Sequence, residues 1–207
     1  MQLNSERIMK FMIQSIRNGC LFAGLTLLAL TAPLGAQGFA SHAVDVAAGA
    51  GASSQSDNHS ADGNIHISYT GSASYHLTSR LASGVEYSWL PLDSEKGPNV
   101  GVHSQLMGLA SRFTVLPSWH TAPYVVLAVG YDRLSDVPTG SGSTAYNGIY
   151  GDAGLGLSVY ATKHWGVRPE VRYEYQSYFS GPLSSFGSIR GTMSVFYQFG
   201  GKDSSKM

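Results

Sequence analysis

A chain of 207 residues suits one domain and is short for two. Only 13% of its residues are charged, against roughly 25% in typical soluble domains. Lys+Arg and Asp+Glu balance at 13 each, which excludes the basic excess of a nucleic-acid binder. The single cysteine, Cys20, lies in the segment expected to be cleaved on export, which leaves the mature chain no thiol for a disulfide, a metal or catalysis.

The first element is an address. Arg7, Lys10 and Arg17 precede an apolar run from Leu21 to Leu30, followed by Ala32-Pro33-Leu34-Gly35-Ala36. A positive segment, a short greasy segment and a small-residue cleavage site together predict a cleaved secretory signal peptide over 1–36. Cleavage after Ala40 is the alternative, and a start at Met9 or Met12 gives a more usual length. The greasy run is too short for a spanning helix, which needs about 20 apolar residues. Cys20 precedes that run instead of following it, so it is no lipid-anchor cysteine.

Beyond residue 36 the chain alternates with period two, the mark of strands with unlike faces. Ile65, Ile67, Tyr69, Gly71, Ala73, Tyr75 and Leu77 interleave with His66, Ser68, Thr70, Ser72, Ser74 and His76. About a dozen residues exceeds a soluble strand and suits a tilted membrane strand of ~9–11. A weaker alternation places Val125, Leu127, Val129 and Tyr131 opposite Val126, Ala128, Gly130 and Asp132. Another sets Ala153, Leu155, Leu157 and Val159 against Asp152, Gly154, Gly156 and Ser158. Further on, Val167, Pro169, Val171, Tyr173 and Tyr175 alternate with Arg168, Glu170, Arg172, Glu174 and Gln176. The last strand sets Ile189, Gly191, Met193, Val195, Tyr197 and Phe199 against Ser188, Arg190, Thr192, Ser194 and Gln198, with Phe196 breaking the polar face.

Eight strands are predicted, near 41–53, 64–78, 81–90, 101–116, 122–134, 147–161, 164–178 and 186–200. Short turns at Thr78-Ser79-Arg80, 117–121 and Thr162-Lys163 alternate with long connections at 54–63, 91–100, 135–146 and 179–185. Short turns at one rim and long loops at the other are the pattern of bacterial outer-membrane barrels. The fold class is all-β, an eight-stranded antiparallel up-and-down transmembrane β-barrel over 37–200, with a polar C-terminal tail over 201–207.

A soluble sandwich also alternates, so energetics must assign the faces. A Lys or Arg facing lipid at mid-depth costs about 2–4 kcal/mol. Arg168, Arg172 and Arg190 are therefore expected in the lumen, with Glu86, Asp132, Asp152, Glu170 and Glu174 as partners. Mixed signs suit an enclosed space, where an unpaired charge is heavily penalised. Gly49, Gly51, Gly84, Gly108, Ala110, Gly130, Gly154 and Gly156 supply the small neighbours that a narrow eight-stranded bore demands. Tyr75, Trp89, Trp119, Tyr124, Trp165, Tyr178 and Phe199 fall near strand ends, where aromatic girdles sit.

The closing segment sets Val195, Tyr197 and Phe199 at alternate outward positions. It looks like the C-terminal signal read by barrel-assembly machinery, although a polar tail follows it here. With Pro123-Tyr124 opening a strand to Gly130-Tyr131, Gly151-Asp152-Ala153-Gly154-Leu155-Gly156-Leu157, and His164-Trp165-Gly166-Val167-Arg168-Pro169-Glu170-Val171-Arg172, the chain resembles the outer-membrane β-barrel domain family. Its members share the fold of the N-terminal barrel of outer-membrane protein A. The resemblance covers about residues 40–200 and implies a cell outer-membrane location, with membrane lipid and the assembly machinery as partners. It says little about activity, since fold does not fix function.

Candidate chemistry is sparse. His66 and His76 share a polar face, but ten residues of strand hold them roughly 33 Å apart, too far for one metal or one substrate. His76 beside Ser74 is the remaining pair for a lipid-modifying site. His42, His59, His103, His120 and His164 are scattered without metal-ligand spacing. No cofactor or metal is expected. The Arg168/Glu170/Arg172/Glu174 ladder reads as a gate or as a charge network that plugs the interior, and the narrow bore favours the plug. Asp93, Glu95 and Lys96 belong to a long loop that is either a solvated tip or a contact for a surface ligand. Gly140-Ser141-Gly142-Ser143 is linker chemistry, not a phosphate cradle. The expectation is a non-enzymatic barrel that stabilises the envelope and offers loops for adhesion or binding. The alternative is a narrow pore or a lipid-modifying enzyme.

Overall fold

The computed structural model describes residues 41–56, 65–92, 102–117, 121–139, 142–179 and 185–202. The predicted signal peptide, the connections 57–64 and 93–101, Trp119, His59, His120 and the tail beyond Lys202 lie outside them.

Eight antiparallel strands close into one barrel, each paired with its sequence neighbours and the last with the first. They are β1 (Ser41–Ser56), β2 (Ile65–His76), β3 (Leu81–Leu92), β4 (Val102–Thr114), β5 (Thr121–Thr139), β6 (Gly142–Tyr160), β7 (Trp165–Tyr178) and β8 (Ser185–Lys202). Every strand is at least 12 residues long, more than the ~9–11 that a tilted strand needs to cross hydrocarbon.

The period of two sorts the side chains inside out relative to a soluble protein. Ile67, Val85, Leu109, Leu127, Val129, Leu155, Val171 and Ile189 all face outward and are exposed, Leu155 by 66%. Asp45, Glu86, Asp132, Arg168, Arg172, Glu174 and Arg190 face inward and are buried. An apolar exterior wrapped around an ionised interior fits lipid, because the charges then avoid hydrocarbon and find partners within.

Two of the short turns are closed by threonines. Thr78 Oγ1 accepts from the backbone N–H of Arg80 and Leu81, at 3.1 and 2.9 Å. Thr162 Oγ1 accepts from those of His164 and Trp165, at 3.3 and 3.0 Å. Such hydroxyl-closed turns reverse the chain in few residues.

The third long connection differs from expectation. In place of a loop over 135–146, β5 and β6 continue as a ribbon to the pair Thr139↔Gly142, with a register shift between Leu134 and Val137. The β-forming residues Thr144 and Tyr146 suit this pairing, and the shift falls at 135–136, before Pro138 pairs with Ser143. Gly142 and Ser143, expected as linker, open β6. β8 also runs on to Lys202, two residues past the expected strand end.

Candidate functional site

The lumen is where the chemically active side chains converge, in groups stacked along the barrel axis. Nearest the short-turn rim, Asp45 of β1 accepts two parallel bonds from Arg168 of β7, Nη1 at 3.1 Å and Nη2 at 2.7 Å. Asp45 also contacts His76 Nε2 at 2.8 Å. Arg168 Nε donates to Ser158 Oγ at 3.2 Å, and its guanidinium lies 4.1 Å from the centroid of the Phe196 ring. The apolar break in the polar face of β8 thus has a use, as a face for a cation.

In the middle, Arg172 of β7 reaches Glu86 of β3 through Nη1 at 2.8 Å and Nη2 at 2.7 Å. The same guanidinium bonds Glu170 at 2.5 Å and Asp152 at 3.2 Å. Arg190 of β8 stands 2.9 Å from Glu174 and 3.5 Å from Glu86. Arg112 of β4 joins the two groups, donating to Ser74 and Ser72 at 2.8 and 3.2 Å. Its guanidinium stands 3.9 Å from Asp45 and 4.0 Å from Glu86.

All eight charged residues singled out in the sequence lie within the barrel, but not in one cluster. Glu86, Asp152, Glu170, Arg172, Glu174 and Arg190 come together. Arg168 instead takes Asp45, which the sequence reading did not name. Asp132 stands apart: it accepts from Ser104 Oγ at 2.5 Å, and among the described residues no ion pair joins it to an arginine. Asp45 and Arg112 were missed, and His76 was named beside Ser74 and not beside Asp45, which it faces. Asp45 is a lone acid in an Ala/Gly strand, and Arg112 sits on a strand whose outward face carries His103, Gln105 and Ser111. The surviving signal was parity, since both fall in phase with inward neighbours.

Apolar groups cap this charged section. Toward the long-loop rim Leu90, Leu106, Ala110, Ala128 and Tyr150 form a buried cluster. Toward the short-turn rim Ala122, Tyr160 and Phe196 form another, packed on Ala47. Between them a cavity of about 10 Å³, lined by Ser72, Arg112, Tyr124 and Glu170 among others, has room for about one water.

Two residues expected in the aromatic girdle are instead inside. Tyr124 donates to Glu170 at 2.7 Å and Tyr178 to Gln176 at 3.0 Å. Each lies in phase with inward residues, and a phenol entering such a space must satisfy its hydroxyl. Gly156 makes room for the Tyr124 ring, since a Cβ there would collide with it.

Val195 and Phe199 are exposed on the outer wall, and Tyr197 packs between Trp165 and Phe199 with centroids 4.7 and 4.5 Å away. Ser74 and His76, the pair considered for catalysis, are buried in the lumen. Ser74 Oγ accepts from Arg112, while His76 faces Asp45.

No protein-family model matches the sequence, and comparison with curated proteins gives no match. Solved structures do match. Neisserial surface protein A is similar at 19% identity and TM-score 0.64, over 76% of this chain and 99% of that one. The N-terminal β-barrel domain of Pseudomonas aeruginosa OprF follows at 16% identity and TM-score 0.54, over 77% and 99%. Ail, the attachment invasion locus protein of Yersinia pestis, is similar at 12% identity and TM-score 0.54, also over 77% and 99%. The chain therefore has the fold of the eight-stranded outer-membrane β-barrels, closed and antiparallel throughout.

Proposed function

We propose that this protein is a non-enzymatic barrel of the cell outer membrane, anchoring and stabilising the envelope while its long connections meet surface ligands. The observation that carries the reading is the filled bore. Arg172 and Glu86 bridge it, apolar clusters lie on either side, and the space beside the bridge is about 10 Å³. An interior spent on holding the walls together favours a scaffold over a conduit. Phe199, Tyr197 and Val195 on the last strand serve as the signal for assembly into the membrane. The residues preceding the barrel act as the cleaved export signal, and surface lipid is the permanent partner.

The test is planar-bilayer recording of the refolded barrel, with mass spectrometry of lipid A from cells lacking the protein. Flat traces and unchanged lipid are expected. Stepwise conductance would establish a pore, and an altered lipid A acyl pattern would establish an enzyme. Fractionation, with gel mobility before and after boiling, checks location and closure together.

A further inference from the structure

The outer wall is not uniformly convex. A groove of about 670 Å³ crosses it, within the 300–1,000 Å³ range of small-molecule sites. Its floor is Gly151 and Ala153 of β6, two small outward residues. Leu109 and Val129 form its apolar sides, exposed by 61 and 62%, and Tyr173 bounds it toward β7. Tyr173 leaves the floor open because its hydroxyl end reaches the other way, over Gly187 on β8, where an added Cβ would lie 2.5 Å from it.

One end of the groove is polar. Ser83 and Ser111 face outward and share a 3.0 Å hydrogen bond, an unusual pair for a wall in hydrocarbon. Ser83 is the third residue of β3, so this end lies toward the short-turn rim. Arg80 is exposed in the turn just before it, and its carbonyl accepts from Thr114 N–H at 2.7 Å, which fixes that turn beside the end of β4. Among the described residues the exposed Lys and Arg of this rim are Arg80 and Lys163, and no exposed Asp or Glu offsets them.

We propose that the groove holds one anionic phospholipid, its acyl chain over Gly151 and Ala153 and its phosphate at Arg80 and the serine pair. The proposal rests on the membrane reading above. The groove is continuous with the apolar belt, so hydrocarbon fills it, and a cation with hydroxyls at the rim end selects a charged head. A second copy of the chain fits less well. A two-fold interface would set groove against groove, and neither would fill the other.

The glycines supply a matched test. Gly151 and Gly71 both face outward, and a Cβ at either would meet only a backbone oxygen at 3.9 Å, so a side chain at either leaves the backbone without a clash. Gly71 lies outside the groove. The refolded barrel in detergent micelles is incubated with phosphatidylglycerol, and bound lipid is counted by native mass spectrometry. One retained phosphatidylglycerol is expected for the parent and for Gly71→Leu. Gly151→Leu and Arg80→Gln should each lower retention about fivefold, the scale of lost chain packing and of one charge-assisted contact. Equal retention in all four proteins overturns the proposal. So does a dimer that Gly151→Leu abolishes while lipid retention stays constant, which would assign the groove to a second copy. Insertion of the parent into phosphatidylglycerol vesicles, run alongside, separates the two levels. A barrel that inserts but shows no Gly151 effect sinks the lipid site alone, and one that stays in water without detergent sinks the membrane reading as well.

Discussion

Arg172 and Glu86 stand on β7 and β3, four strands apart and so on opposite walls of the cylinder, yet two parallel hydrogen bonds of 2.8 and 2.7 Å join them. Removing one partner of a buried pair costs about 3–5 kcal/mol, because the other is left uncompensated. Arg172→Met should therefore lower unfolding stability by that amount, measured by urea titration in lipid vesicles. Adding Glu86→Gln should return part of it. Strictly additive losses would mean that the two residues are not coupled.

Depth on the outer wall sets a second outcome. Leu155 is exposed at mid-strand and Leu77 is exposed in the turn after β2. Leu155→Arg should cost about 2–4 kcal/mol and Leu77→Arg about 0–1, following the depth dependence of arginine in barrels. Equal folding yields into vesicles for the two variants would contradict the face assignment.

The fit of rings to glycines sets a third. A Cβ on Gly156 would collide with the Tyr124 ring, whereas one on Gly71 meets nothing nearer than 3.9 Å. Gly156→Ala should destabilise by about 1–3 kcal/mol through overpacking, while Gly71→Ala leaves the midpoint of thermal unfolding unchanged.

A fourth concerns the apolar cluster in the lumen. Leu106 is 1% exposed and packs with Leu90 and Tyr150. Leu106→Ala should cost about 2–5 kcal/mol, as truncations in packed cores do, where a water-facing side chain would cost almost nothing. Urea midpoints read on unboiled gels distinguish the two.

Much of this architecture could be read from alternation. On β2 and β7 polar and apolar residues keep phase, on β8 they do so but for Phe196 and on β5 more weakly, and the faces assigned from sequence are those observed. β4 gave the weakest signal because its outward face carries His103, Gln105 and Ser111 while Leu106 points in, and only the small pair Gly108 and Ala110 marked the side that faces the bore. Asp45 was overlooked because a single acid among Ala and Gly makes no pattern; its worth comes from Arg168, on the far side of β8. The interior leucines were illegible for a related reason. A residue facing the bore is recognisable as polar, but one that packs against three other strands there looks like any membrane-facing leucine. Tyr124 and Tyr178 were assigned by nearness to strand ends, when their parity already placed them inside.

Asp45 and Arg168 are separated by 123 positions along the chain, so the first strand carries a charge whose bidentate counterpart emerges almost last. A product truncated before β7 keeps the acid and lacks its clamp, and β1 has no β8 to bond. Sealing the tube thus doubles as a completeness check: His76 and Arg112 come earlier, but only a polypeptide finished through β7 supplies the two-pronged clamp for its own beginning.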